Sequence, residues 1–256
     1  MLRYLFLLKE FVRRDFESRY AGSVLGFLWS LLQPAWQLLL FTFVFSTVLK
    51  ISLLGERTES FGIFLFCGLM PWLAFHEGVS RSSTAITENA NLVKKIQFPS
   101  EILVFTVVLG GVVHQLIASG LFLGVLIAMG EMHLRGLPLV IPALVIQIAF
   151  TAGLGLLAAT ANTFFRDVGQ LLGMGLMGWF YFTPIVYPLD QVPEPYRGYL
   201  LLNPMTTLVE LYREAFLGGR LQDVPGLPWL VAVAGVALLV GLWLFRRMKP
   251  QFPDEL

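Results

Sequence analysis

Long apolar runs follow one another along the chain, and their lengths predict helices that cross a membrane. Four runs of spanning length carry no charge, and a fifth contains His114 as its only ionisable side chain. A sixth begins at Phe61 and reaches a comparable length only if it continues to Arg81. A helix needs roughly 20 mostly apolar residues to cross the hydrocarbon core of a bilayer. We therefore predict an all-α, polytopic membrane protein with six transmembrane helices, at residues 24–49, 61–81, 102–130, 136–165, 168–189 and 227–245.

The composition excludes a water-soluble fold. Of the 256 residues, 56% are hydrophobic and 14% are charged, whereas soluble domains contain about 25% charged residues. Because a chain this apolar cannot cover a water-facing surface, soluble, nucleic-acid-binding and disordered proteins are excluded. The single cysteine, Cys67, permits neither an internal disulfide nor a metal site with several cysteine ligands.

The basic residues indicate how the spans are oriented. An even number of spans puts both termini on one side of the membrane, and Lys and Arg are enriched in cytoplasmic loops. Of the eighteen Lys and Arg, twelve fall on the side that carries the termini, although the loops on the two sides have equal total length. We therefore predict both termini in the cytoplasm.

Two segments on the cytoplasmic side have patterns of their own. Residues 1–21 place apolar and charged positions on opposite faces of a helix, which predicts an amphipathic interface helix on the membrane surface. An anchoring role and a recognition role both remain open for this helix. Residues 82–99 form a polar loop whose sequence is compatible with a short helix before Pro99, and its length suits contact with a cytosolic partner.

The outer segment, residues 190–226, predicts a helix that does not cross the membrane. Asn203 and Pro204 fit the N-cap and the first helical position. Charged residues follow at Glu210, Arg213 and Glu214, and charge in hydrocarbon is costly. We expect re-entrant or interfacial helices here, before the last span.

The sequence contains no motif for an energy source or for catalysis. It lacks a Gly-x-x-x-x-Gly-Lys-Ser/Thr phosphate loop, a nucleophile elbow and metal-ligand spacing. We predict no catalytic residue, no metal ligand and no cofactor bound by this chain, so that ATP and magnesium belong to a partner subunit.

Polar side chains inside the spans are few, and each has a structural interpretation. Glu77 and Arg81 are spaced as an i,i+4 ion pair. We expect His114 to pack with a hydrogen bond, since a proton relay needs acidic residues at similar depth. Three glutamines are expected to hydrogen-bond neighbouring helices, namely Gln33, Gln37 and Gln147.

The first and fifth spans are rich in aromatic residues. Aromatic rings are platforms for the apolar faces of sugars, and they are also ordinary residues of the membrane–water interface. Four are candidates to line a channel, with the interface alternative left open, namely Trp36, Trp179, Phe180 and Tyr181.

Three motifs, in the same order along the whole chain, resemble one known family. Residues 20–34 (YAGSVLGFLWSLLQP) are similar to the entry of the first span in the polysaccharide-export permeases of ABC transporters, which export O-antigen and teichoic acid. Residues 91–99 (NLVKKIQFP) resemble the cytoplasmic coupling segment of that family. Residues 202–205 (LNPM), followed by Arg213, resemble its last outer loop.

The resemblance implies a homodimer of this chain that works with two ATPase subunits in the bacterial cytoplasmic membrane. The substrate would be a lipid-linked polysaccharide on an undecaprenyl pyrophosphate carrier. The first and fifth spans would line the path and meet across the dimer, and the outer helices would form an exit gate.

The resemblance also assigns roles to single residues. Coupling to the ATPase would rest on Glu88, Asn91, Leu92, Lys94 and Lys95. The outer gate would contain Asn203, Pro204 and Arg213. Basic residues that precede the first span are candidates to attract the pyrophosphate head group, namely Arg13, Arg14 and Arg19.

Two other functions remain open from the sequence. One keeps the architecture but exports a drug or a lipid, which needs a side opening and not a continuous passage for a polymer. The other is an integral-membrane enzyme acting on lipid-linked sugars, which the lack of clustered carboxylate, histidine or metal-ligand residues disfavours.

Overall fold

The computed structural model describes residues 2–20, 22–23, 25–48, 53, 57–95 and 98–256, with the side chains of residues 2–5, 20, 27 and 45–47 left aside. Within these ranges the chain is helical and contains no strand. The α-helices are α1 (Leu2–Tyr20), α2 (Trp29–Phe41), α3 (Phe61–Glu88), α4 (Ala90–Val93), α5 (Glu101–Met129), α6 (Val140–Phe164), α7 (Val168–Tyr181), α8 (Glu194–Leu202), α9 (Pro204–Phe216), α10 (Leu227–Met248) and α11 (Phe252–Glu255).

Four helical segments in the described part of the chain are long and apolar enough to cross a membrane. They are Phe61–Glu88, Glu101–Met129, Leu137–Phe164 and Leu227–Glu255. The predicted all-α polytopic fold is confirmed, whereas the count of six spans is not. The two remaining predicted spans, 24–49 and 168–189, contain the shorter helices α2 and α7.

Local sequence explains why these two helices are short. α2 has 13 residues and continues as a π-helix from Thr42 to Val48, where β-branched and aromatic side chains disfavour a regular α-helix. α7 has 14 residues and ends at Tyr181. Pro184 disfavours helical backbone at Thr183, and the Thr183 hydroxyl instead donates to the Trp179 carbonyl at 2.9 Å. The predicted fifth span therefore ends eight residues early.

α3 is the central helix of the described structure. It packs against α5, α6 and α9, and 83% of its most apolar stretch is buried, compared with 17% for the last spanning segment. α10 lies on the outside against α6, where the two backbones approach at Gly153 and Gly241. A Cβ atom added at Gly153 would lie 2.4 Å from the Ala237 carbonyl carbon, so small residues permit this close packing.

α3 also extends further than predicted. We expected the second span to end at Arg81 and a loop to begin at residue 82, but the helix continues to Glu88. Hydroxyl side chains in this turn donate to their own helix, as Ser83 does to the Ser80 carbonyl and Thr87 to the Thr84 carbonyl. These bonds satisfy the hydroxyl groups of Ser83 and Thr87 within the helix, and the segment between α3 and α5 is shorter than predicted.

The loops lie at two opposite ends of the bundle, in the grouping that alternating spans require. At one end, Arg57 binds Glu214 and Asp223, and Thr58 donates to Glu131 at 2.8 Å.

At the other end, Lys249 pairs with Glu101 at 2.8 Å, and the ring of Phe252 lies 6.0 Å from that of Phe164. Which end faces the cytoplasm stays a prediction.

Candidate substrate path and its two ends

Trp36 is the aromatic candidate with the most open surroundings. It lies on α2 with 63% of its surface exposed. It lines a cavity of about 380 Å³ between α2, α3 and α5. Gln33 and Gln37, from the same helix, line this cavity as well.

The three aromatic candidates on α7 have different environments. Trp179 packs edge-on against Phe75 and Phe150, with ring centroids 5.4 and 6.2 Å away. Phe180 lies 5.6 Å from the ring of Trp72. Tyr181 is 61% exposed. Within one chain, Trp179 therefore has a packing role, and Tyr181 presents its ring outward.

Asn203 joins the outer segment to the end of α7. Its Oδ1 accepts from the Trp179 indole at 2.8 Å and from the Met205 amide at 3.0 Å. Its Nδ2 donates to the Phe182 carbonyl at 3.2 Å and to the Thr183 hydroxyl at 3.0 Å. The predicted N-cap is confirmed, with Pro204 as the first residue of α9. The side chain also holds the turn after α7.

Arg213 is the second link between α9 and that turn. Only 3% of its surface is exposed, and its guanidinium donates to the carbonyls of Pro184 at 2.8 Å and Ile185 at 3.1 Å. It also pairs with Glu210 at 2.6 Å and lies 3.6 Å from the ring centre of Phe64. Asn203 therefore binds residues 182 and 183, and Arg213 binds residues 184 and 185.

A third group of charges lies at the same end of the bundle as α9. Arg57 pairs with Glu214 at 2.9 Å and with Asp223 at 2.8 Å, which links the segment before α3 to the segment after α9. Burial raises the pKa of the Glu214 carboxyl, and the neighbouring Arg57 guanidinium opposes that rise. The outer segment is thus bound to the helix bundle at several points.

The three arginines proposed for the entrance do not share one environment. Arg13 and Arg14 are exposed on α1, where Arg13 pairs with Glu17 at 2.8 Å. Arg19 is part of a charge ring, formed by Asp15, Arg19, Glu77 and Arg81.

The charge ring is closed and carries no net charge. Arg19 reaches Asp15 at 3.1 Å and Glu77 at 2.5 Å. Arg81 reaches the same two carboxylates, at 2.5 and 3.2 Å. The predicted pair of Glu77 and Arg81 is confirmed, and the ring fastens α1 to α3. Gly110 on α5 permits this approach, because a Cβ atom there would lie 2.6 Å from an Asp15 oxygen.

The segment predicted to couple to an ATPase begins at the last residue of α3 and forms a short polar turn. Glu88 ends α3, and α4 covers four residues. The predicted polar side chains are exposed and Leu92 is half-buried; the exposed ones are Glu88, Asn91, Lys94 and Lys95. Val93, which the sequence does not single out, is buried in a cluster with Ile86 and Phe252. This anchor turns the polar residues away from the bundle.

A buried amide network ties four helices together in the middle of the bundle. Gln115 and Gln147 exchange hydrogen bonds through their amides, at 3.2 and 2.8 Å. Gln147 also donates to the Pro71 carbonyl at 3.2 Å and accepts from the Tyr212 hydroxyl at 2.5 Å. The prediction for Gln147 is therefore confirmed.

Other polar residues of the spans depart from the prediction. Gln33 and Gln37 have no hydrogen-bond partner within the ranges that the structure describes, because both face the cavity at Trp36. The buried Nε2 of His114 also has no partner there, so the expected hydrogen bond is not seen at that nitrogen.

Known proteins are similar to this chain over most of the helices described above. Residues 7–217, from α1 to the end of α9, match the ABC-2 type transporter family. The chain belongs to the ABC-2 type transporter family. It is 32% identical to the O-antigen export system permease protein RfbA of Myxococcus xanthus, over 100% of this chain and 97% of that protein.

Two further relatives of this ABC-2 family chain are of the same kind. It is 30% identical to the O-antigen export system permease protein RfbA of Klebsiella pneumoniae, over 100% of this chain and 97% of the relative. It is 27% identical to the polysialic acid transport protein KpsM of Escherichia coli, over 92% of this chain and 91% of KpsM.

The ABC-2 chain contains contacts between distant helices that its sequence does not reveal. Asp15 joins the charge ring from α1, although 66 residues separate it from Arg81. Tyr212 joins the amide network from α9, 65 residues from Gln147. The sequence signal for the Asp15 contact is a carboxylate one helical turn before Arg19. For the Tyr212 contact, the sequence offers only the apolar face of α9 on which Tyr212 lies.

Proposed function

We propose that this chain is the channel-forming subunit of an ATP-driven exporter, which moves a lipid-linked polysaccharide across the bacterial cytoplasmic membrane. One observation carries the proposal: the chain is similar from end to end to O-antigen export permeases of two bacteria. The family adds that it is the membrane part of an ABC transporter system. Two ATPase subunits supply ATP hydrolysis, with ATP and magnesium bound there, and a second copy of this chain completes the path.

The coupling segment is the proposed contact with the ATPase. Its exposed side chains supply both signs of charge, from Glu88 to Lys94 and Lys95, and Val93 anchors it to the bundle. It directly follows α3, the central helix, so a push on α4 acts on a helix that packs against α5, α6 and α9. This arrangement suits transmission of a movement of the ATPase through α4 to α3.

The proposed path runs along α2 and α7 between two copies of the chain. Trp36 and Tyr181 present exposed rings there. Such rings suit the apolar faces of sugars. Trp179 and Asn203 connect α7 to the outer gate, so a tilt of α7 moves Pro204 and α9 with it.

The proposed entrance lies at the end of the bundle that carries α1. Arg13 and Arg14 are exposed there and suit attraction of a pyrophosphate head group. Arg19 acts differently: its guanidinium is engaged by two carboxylates, so it holds α1 in place. Both termini face the cytoplasm in this arrangement.

Co-expression with the neighbouring ATPase tests the proposal. Deleting the chain should abolish surface polysaccharide, and the wild-type chain should co-purify with the ATPase. Lys95→Glu should lower the co-purified ATPase at least fivefold, because it reverses an exposed charge on the coupling segment. Arg135→Glu is the matched control, since it reverses an exposed charge at the opposite end.

The proposal fails if the wild-type chain recovers no ATPase, or if cells without the chain keep their surface polysaccharide. If both charge-reversal variants lose the ATPase equally, the coupling segment is not the specific contact with the ATPase.

A further inference from the structure

A polar cavity lies inside one copy of the chain, between α2, α3 and α5. Its volume is about 380 Å³, which is in the range of small-ligand sites. Six polar or ionisable residues line it, namely Gln33, Gln37, His76, Glu77, His114 and Gln115. By contrast, the grooves beside α6 and α7 are lined almost wholly by apolar side chains, of which Leu154 and Leu157 are typical.

Several of these polar groups are free to bind. In the described part of the chain, neither Gln33 nor Gln37 has a hydrogen-bond partner, and the buried Nε2 of His114 has none either. Polar groups at membrane depth are costly unless they are hydrogen-bonded. Two helices thus direct unpaired amide and imidazole groups at one space.

The charges around the cavity favour a neutral ligand. Glu77 is the only carboxylate among the lining residues, and Arg19 and Arg81 already neutralise it within the charge ring. Among the described residues that line the cavity none is a lysine or an arginine, and the Arg19 and Arg81 guanidiniums beside Glu77 are engaged by carboxylates, which disfavours an anion. The amides offer both donors and acceptors, which suits a ligand rich in hydroxyl groups.

An aromatic ring completes the chemistry of a carbohydrate site. Trp36 lines the cavity and is 63% exposed, so its face is available for stacking. Phe66, Met70 and Leu73 supply an apolar wall from α3. Hydroxyl-binding amides beside an indole match the polar edges and the apolar face of a sugar ring.

We propose that this cavity is a subsite for one neutral sugar unit of the exported glycan. The inference rests on the proposed function and adds a place inside each copy of the chain, beside the path between copies. Bound there, a sugar hydrogen-bonds to Gln33, Gln37 and His114 and stacks on Trp36. The subsite holds the glycan between steps and selects against units that carry a charge.

Crosslinking in living cells tests the subsite with the native cargo. A photo-reactive benzoylphenylalanine replaces Leu73, which lines the cavity and is 39% exposed. The matched position is Leu116 on α5, which is 46% exposed and does not line the cavity. Light should produce a glycan adduct at position 73, absent at position 116 and absent in cells that cannot make the glycan.

A cavity-filling variant gives an independent measurement. A Cβ atom at Gly111 meets only the Ala74 carbonyl oxygen at 3.5 Å, so Gly111→Leu extends into the cavity without a backbone clash. A Cβ atom at Gly120, on the same helix, meets nothing within 4 Å. Gly111→Leu should lower surface polysaccharide at least fivefold while the ATPase still co-purifies, and Gly120→Leu should stay within twofold of wild type.

The outcomes separate the subsite from the function. No adduct at position 73, or an adduct of lipid mass only, in cells that still export the polysaccharide would overturn the subsite and leave the exporter proposal intact. Equal export by both glycine variants would also overturn it. Unchanged surface polysaccharide in cells that lack the chain would instead refute the exporter proposal itself.

Discussion

Replacing Asn203 with leucine should release the outer segment from the end of α7. The substitution keeps the size of the side chain but removes four hydrogen bonds, two accepted by Oδ1 and two donated by Nδ2. Each such bond contributes about 1 kcal/mol net, so the upper bound is about 4 kcal/mol. The Trp179 indole loses the only hydrogen bond that the structure gives it within the described residues.

The expected consequence is faster local opening of residues 183–202. Every 1.4 kcal/mol is about a tenfold change in an equilibrium constant, so a loss of about 3 kcal/mol raises the opening constant at least about a hundredfold. Hydrogen exchange of the complex in lipid nanodiscs, read by mass spectrometry, measures this change. Peptides from α5 serve as the internal reference, since none of the four hydrogen bonds of Asn203 reaches that helix.

Asn203→Asp is the graded control. The carboxylate keeps both acceptor contacts and the N-cap, where negative charge is favourable, but loses the two donated bonds. The loss of two bonds of about 1 kcal/mol each should accelerate its exchange about 25-fold, between wild type and the leucine variant. If the leucine variant exchanges at the wild-type rate, or the two variants exchange alike, the side chain does not hold the segment as argued.

Two further substitutions test the contacts inside the bundle. Asp15→Asn removes one of the two carboxylates from the partly buried charge ring and should weaken the docking of α1 by about 1 to 3 kcal/mol. Faster proteolysis of residues 6–20 measures this loss. Glu17→Gln, on the exposed face of α1, is the control and should have no measurable effect. Gln147→Leu removes the acceptor of the Tyr212 hydroxyl and should lower the free energy of unfolding in detergent by about 1 to 3 kcal/mol. The double variant with Gln115→Leu should lose less than the sum of the two single variants, because the two amides pair with each other.

The sequence predicts most of the helices because lipid and burial both demand long apolar runs. The four helical segments that are long and apolar enough to cross a membrane coincide with such runs. The end of α7 is different, because residues 182–189 carry no charge and still leave the helix at Thr183 and Pro184. Hydropathy does not register a turn whose polar backbone is satisfied by Asn203 and Arg213 from another helix.

Candidate residues are predictable where the physics is local. The N-cap at Asn203 and the pair of Glu77 and Arg81 depend on spacing within one helix, and both are present. The unpaired state of Gln33 and His114 depends on how α2 and α5 are placed around the cavity, which no local pattern encodes. The same holds for Asp15, whose contact with Arg81 requires a glycine on a third helix.

The position of α3 explains how one small segment can act on every part of the proposed transporter. Towards the C-terminal end of α3, the charge ring attaches α1 through Glu77. One turn closer to the N-terminus, Leu73 borders the cavity. Next the Pro71 carbonyl accepts from Gln147, and close to its start Phe64 lies under the Arg213 guanidinium. These contacts are close-packed, and such interfaces shift between discrete arrangements and do not deform gradually. We therefore expect a displacement of α4 to act on the proposed entrance, the cavity and the proposed outer gate together.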